Sequence, residues 1–342
     1  MIKNRFNKAF ALLGLLLILA FVVNLALGSV GIPLSDTLAI LFGGTPEKST
    51  WQFIIWDYRM PKAITAILTG SGLAVSGLIM QTLFRNPLAG PFVLGLSSGA
   101  SLGVALLILG AGALGGVIGH YLLNPWSLVI ASAIGSFLVL LAVVAVSLRV
   151  KDTMALLIIG LMFGSLTAAV VAVLSYFSSA EQLQQYIFWS FGSLGNQTWT
   201  GIGILALCVV PGLVFTFLKS KSLNALLLGE AYAQSMGLDL KKTNLILIGL
   251  TSLLAGSITA FAGPIAFVGL AIPHLTRQWI PTSDHRQLIP TVILMGAVVM
   301  LVCDTIAQWP YSAHTLPINA ITSLLGAPVV IWLLVRKRKL LF

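Results

Sequence analysis

Charge is what this sequence has least of. Only 8% of its 342 residues are Asp, Glu, Lys or Arg, where a soluble domain carries roughly 25%. A chain so poor in charge cannot cover itself against water, so lipid must be the solvent for much of its surface. Cysteine is nearly absent too. Cys208 and Cys303 both lie in apolar runs, which excludes a disulfide framework and leaves two small hydrophobes. No phosphate-binding GxxxxGK[ST] loop occurs, and the dipeptide Gly-Lys never appears, so nucleotide is not bound by that route. The nine acidic residues fall in loops or at the ends of apolar segments. No HExxH motif and no close acid pair lies within a segment, which argues against an enzyme. The four histidines are scattered, so neither a metal site nor a cofactor site is expected. Asp304 comes nearest to an intramembrane ionisable group, yet the topology below puts it near the outer surface. Ion coupling therefore has no obvious residue to act through.

Apolar residues fill the space that charge leaves. They make up 58% of the chain, and mean hydropathy is +1.02. A spanning helix needs about 20 apolar residues. Ten segments qualify, near 9–28, 60–82, 92–110, 126–148, 154–175, 200–218, 243–262, 264–276, 288–307 and 318–335. The basic patch Lys3, Arg5 and Lys8 precedes the first, which reads as a retained helix rather than a cleaved signal. The eighth is short and interrupted by Pro264 and Pro273, so a broken or partly re-entrant span is expected. One membrane-spanning domain over 1–342 is expected.

Lysine and arginine set the orientation. With ten spans and a cytoplasmic N-terminus, sixteen of the 19 basic residues face the cytoplasm, and only Lys48, Arg59 and Lys62 face outward. Nine or eleven spans would spoil this positive-inside asymmetry. Both termini are therefore expected in the cytoplasm. The same asymmetry accounts for most of the net charge of +10, so nucleic acid is not an expected partner.

Two connections are long. One runs from Gly28 to Trp56 outside, the other from 219 to 242 inside. The inner one is rich in helix formers, and Gly229 and Gly237 are placed to end short helices. It reads either as a solvated connector or as a docking surface. Docking is preferred, because Leu226, Leu227 and Leu228 gain nothing by facing water. A weak internal repeat adds to the pattern: Gly90-Pro91-Phe92-Val93-Leu94-Gly95-Leu96 is similar to Gly263-Pro264-Ile265-Ala266-Phe267-Val268-Gly269-Leu270. The two copies fall on opposite faces, as in an inverted-topology transporter.

Several motifs occur in order along the chain: Arg59-Met60-Pro61-Lys62, Gly77-Leu78-Ile79-Met80-Gln81, Arg85-Asn86-Pro87-Leu88-Ala89-Gly90-Pro91, Pro273-His274-Leu275-Thr276-Arg277, Asp284-His285-Arg286 and Leu324-Leu325-Gly326-Ala327-Pro328. Together with the repeat they resemble the FecCD-type permeases of binding-protein-dependent ABC importers for ferric siderophores, haem and cobalamin. The resemblance implies an all-α membrane protein of about ten transmembrane helices, with a type II importer fold and an inverted repeat. It also implies a homodimer in the bacterial cytoplasmic membrane, two separate cytoplasmic ATPase subunits and an external substrate-binding protein.

Onto this chain the resemblance carries coupling residues Leu226, Gly229, Glu230, Ala233, Met236 and Gly237. It carries docking positions Arg59, Lys62 and Gln308, the first two as free basic groups for the binding protein. Thr153 and Met154 align with a cytoplasmic gate, although a helix start capped by Asp152 or Thr153 explains them equally. Two departures stand out: Gln308 replaces a usual Arg, and Thr315-Leu316-Pro317 replaces Glu-Leu-Pro. Either the docking partner differs, or two residues that paired were lost together; the second is preferred because it strands no charge. From another class, the alternative is an ion-coupled secondary carrier without an ATPase.

Overall fold

Within lipid, every backbone N–H and C=O has to be satisfied by the chain itself, which leaves helices as the building unit. The computed structural model describes residues 2–110, 125–147, 153–195, 197–308, 312 and 315–335. The small-residue run 111–116, His120, Arg149, Lys151, Asp152, His314 and the basic cluster 336–339 lie outside these. Among the described residues the regular structure is helical throughout.

Each of the ten apolar segments is a helix. They are α1 (Ile2–Ala26), α4 (Met60–Leu83), α5 (Leu96–Ile108), α6 (Pro125–Ser147), α7 (Thr153–Tyr176), α9 (Trp199–Leu218), α12 (Leu240–Ala262), α13 (Val268–Trp279), α14 (His285–Ala307) and α15 (Ile318–Val335). Seven of the described helices are long and apolar enough to cross a membrane, and α5 and α13 are only 13 and 12 residues long. Between them lie α2 (Leu34–Leu41), α3 (Ser49–Phe53), α8 (Ala180–Ser190), α10 (Ser220–Leu227) and α11 (Glu230–Ser235). A π-helical turn, Ile54–Arg59, joins α3 to α4.

α4 is the axis of the bundle. It packs along α14 and also against α12, α13 and α9. Its spanning stretch is 89% buried, against 11% for that of α7, so α7 spends its apolar side chains on an outside surface. Small residues allow the close approach. A Cβ built on Gly77 would lie 1.6 Å from the carbonyl oxygen of Gly269 on α13, and one on Gly70 would lie 2.2 Å from that of Gly296 on α14. Lipid is as apolar as leucine, so helices here associate through packing and hydrogen bonds rather than through escape from water.

The eighth segment is broken, as its prolines suggested. Residues 263–267 are not helical, and α13 starts only at Val268, after Phe267 in a left-handed conformation (φ 66°). The freed backbone groups find partners. Ser193 N–H donates to Ala262 O, Gln197 Nε2 to Phe261 O, and Ala266 N–H to Asn319 Oδ1. The matching segment behaves alike: a short 3₁₀ turn, Pro91–Leu94, leads through left-handed Gly95 (φ 72°) into α5. Each half-length helix is thus entered through a Gly-Pro turn and a left-handed residue, as the repeated motif would have it.

The Gly77 contact and the open surroundings of Gly249 predict opposite responses. Gly77→Ala should destabilise the protein by about 2–3 kcal/mol through overpacking. Gly249 on α12 has nothing within 4 Å of a built Cβ, so Gly249→Ala should be neutral or stabilising by about 0.5 kcal/mol. Thermal unfolding in detergent reads both.

Candidate functional site

Chemistry-bearing residues gather at the two ends of the bundle. At one end, α10 and α11 make a short helical hairpin. Its corners are Gly229 (φ 106°) and Gly237 (φ 84°), each in the conformation that L side chains avoid. α10 is amphipathic: it buries Leu223, Ala225 and Leu226 against the ends of α4 and α14. α11 buries Ala233 and packs on α12. Leu226 (4% exposed) and Ala233 (0%) of the expected coupling residues therefore turn toward the bundle. Their small or apolar side chains hold the hairpin to the bundle. The outward face consists of Leu228, Glu230, Tyr232, Met236 and Gly237. Leu228 and Tyr232 are 61% and 54% exposed.

The recurring motifs beside this hairpin do structural work. Gln81 Nε2 donates to Leu270 O, and Arg277 Nη1 donates to Gln81 Oε1 at 2.8 Å. His274 Nε2 lies 2.7 Å from Pro87 O, which ties the turn after α4 to α13. Arg85 lies beside Gly229. Asp284 caps α14 by accepting from Arg286 N–H. Partial burial would raise its pKa, but the hydrogen bonds from Arg286 N–H and Asn224 and the charge of Arg286 outweigh that and hold it below the usual carboxylate range.

The opposite end holds a cavity of about 680 Å³, lined by Arg59, Lys62, Asp304, Gln308 and Thr315 among others. The three expected docking positions thus converge, but not as free groups. Arg59 is 6% exposed. Its guanidinium donates to the carbonyls of Leu25 and Ala26 at 2.6 and 2.8 Å and also to Val30 O. It closes the C-terminal end of α1, where helix carbonyls lack partners. Lys62 Nζ pairs with Asp304 Oδ1 at 3.1 Å. Asp304, 1% exposed, also accepts from Asn24 Nδ2 (2.9 Å) and Gln308 Nε2 (2.8 Å). Arg59 and Lys62 thus have partners within the chain, and Lys62 stays 19% exposed at the cavity. A cation at this depth seeks carbonyls or a counter-charge within the chain. Gln308 completes the shell of Asp304, and Thr315 faces the same cavity, so the positions of the two departures share one site.

Sequence reading placed Asp304 at a segment end and missed its partners Asn24 and Lys62. The offset of four between Asp304 and Gln308 was the one local signal. The gate expectation falls on the first two residues of α7, Thr153 and Met154, whose side chains lie outside the described residues. No group of three potential metal ligands occurs among the described residues.

This architecture has relatives. The family model described as the FecCD transport family matches residues 16–336. The hemin transport system permease protein HmuU of Yersinia pestis is 38% identical over 331 residues, covering 96% of each chain. The vitamin B12 import system permease protein BtuC of Klebsiella pneumoniae is 36% identical, over 95% of this chain and 93% of that one. A solved structure, described as an inward-facing conformation of a metal-chelate type ABC transporter, superposes with a TM-score of 0.84. It shares 30% identity and covers 97% of this chain and all of that one. With the match running through nearly every helix and both ends of the bundle, the chain belongs to the FecCD transport family and is a multi-pass membrane permease of that family's importer class.

Proposed function

We propose that this permease carries a bulky metal chelate, of the haem, cobalamin or ferric-siderophore kind, into the cytoplasm, driven by a separate ATPase that docks on the α10–α11 hairpin. The observation that carries the ATPase reading is the hairpin's outward face, which leaves Leu228, Tyr232 and Met236 in water. Orientation comes from the charge count: the hairpin end belongs to the basic side, which is cytoplasmic by the positive-inside rule. The hemin and vitamin B12 permeases among the relatives support the cargo class. Two copies of this chain, with α7 as one candidate contact face, would line an axial path, with two ATPase subunits below. A substrate-binding protein would dock over the 680 Å³ cavity. ATP hydrolysis itself is assigned to the separate subunit.

One observation favours a second reading. Asp304 and Lys62 are an ionisable pair at the edge of the membrane core, and such pairs serve proton or ion coupling in secondary carriers. Its full set of partners argues instead for a structural tie.

Two experiments separate these readings. Replacing Tyr232 and Met236 together by Asp should lower co-purification of the ATPase by at least about tenfold, the loss expected for removing an aromatic anchor, with membrane insertion unchanged. Undiminished co-purification would remove the hairpin as the docking face. Lys62→Met should destabilise the protein by about 2–4 kcal/mol by stranding Asp304, and adding Asp304→Asn should restore most of that. Uptake of labelled hemin and cyanocobalamin by vesicles holding the unsubstituted protein should persist under proton-gradient collapse and stop on ATP depletion. The reverse pattern would establish the ion-coupled carrier.

A further inference from the structure

An importer must convert movement at the ATPase into movement of the helices along the path, and the hydrogen bonds around Asn224 supply a connection for this. Asn224 sits on α10 with its side chain turned toward the bundle. Its Nδ2 donates to Asp284 Oδ1 at 2.7 Å. Asp284 is an acceptor there, so the amide oxygen must point the other way. That oxygen lies 2.8 Å from the backbone N of His285 and 2.8 Å from its Nδ1. Nδ1 therefore carries the proton that Asn224 accepts. The other ring nitrogen, Nε2, is 2.9 Å from Thr82 Oγ1 at the C-terminal end of α4. His285 and Thr82 are both fully buried, so water does not compete for these bonds.

The chain of contacts is Asn224, His285, Thr82: from the hairpin, through the first residue of α14, to the last turn of α4. α4 and α14 are themselves joined along their length. The Lys62–Asp304 pair links them at the far end, and Gly70 meets Gly296 backbone to backbone in between. Packing alone would let α10 slide over them, since Leu223, Ala225 and Leu226 grip without direction. Hydrogen bonds from one amide to two groups on the N-terminus of α14 fix its register.

We propose that Asn224 is a positioning residue that latches the ATPase-facing helix α10 to α14 and, through His285, to α4, so that displacement of the hairpin moves α4 and α14 as one body. This rests on the reading of the hairpin as the ATPase-facing element. It assigns the first movement to the second and ninth spans, α4 and α14.

The test uses the full complex in lipid vesicles with Cys208→Ser, Cys303→Ala and a reporter, Thr315→Cys, in the cavity at the far end. Modification of the reporter by a membrane-impermeant maleimide is timed with and without ATP, alongside ATP hydrolysis and ATPase co-purification. In Asn224→Ala, co-purification should hold and hydrolysis should change by less than about twofold, while the ATP effect on labelling shrinks by about tenfold. Thr82→Val, which keeps the side-chain volume, should act the same way. The double variant should be no worse than Asn224→Ala, because both break one connection. An undiminished ATP response in Asn224→Ala overturns the latch, as do losses that add in the double variant. Loss of co-purification in Asn224→Ala also overturns it, since Asn224 would then belong to the docking face. If the chain with an intact latch captures no ATPase, the hairpin reading falls, and the latch with it.

Discussion

Backbone meeting backbone, with no side chain between, sets the arrangement around α4. At Gly77 and Gly269, and again at Gly70 and Gly296, a single methyl group would collide with a carbonyl. In water, leucine faces would serve to hold helices together. In lipid they gain nothing by pairing, and close approach of small residues replaces them. Once α4 lies this near to α13 and α14, its own surface is 89% buried, and the neighbours' positions follow.

That proximity determines how polar groups can be used. The ends of α4 reach α14 through Lys62–Asp304 on one side and Thr82–His285 on the other. In the first the carboxylate is buried while Lys62 keeps 19% of its side chain exposed, in the second both groups are buried, and each contact has further partners that complete it. Asn24 and Gln308 surround Asp304, while Asn224, itself tied to Asp284, holds His285. A charge left alone at such depth is costly, so cations and anions here are found in company. Arg59 follows the same rule with carbonyls in place of an acid. The outcome is a central pair of helices tied at both ends, with the α10–α11 hairpin packed on one end of both.

The broken span shows the same economy of polar groups in another form. Proline and glycine around residue 263 stop the helix, and Ser193, Gln197 and Asn319 take up the exposed backbone. The non-helical stretch is stable only because protein surrounds it. A similar entry at Gly95 gives the bundle two half-length helices, a device that places irregular backbone within the structure.

Hydropathy and local chemistry were enough to read the ten helices, the break at Pro264 and the glycine corners of the hairpin. These depend on composition over about twenty residues or on the backbone preferences of single residues. The sequence did not show that Leu226 and Ala233 turn inward while Leu228 turns out, nor that Arg59 and Lys62 are engaged within the chain. A span facing lipid and a span facing protein are both apolar, so the pattern that marks the inner face of a soluble helix fades here. Pairings such as Thr82 with His285 and Asn24 with Asp304 join residues 203 and 280 positions apart. Only the packed bundle, through the contacts its glycines permit, decides which of many similar polar side chains meet.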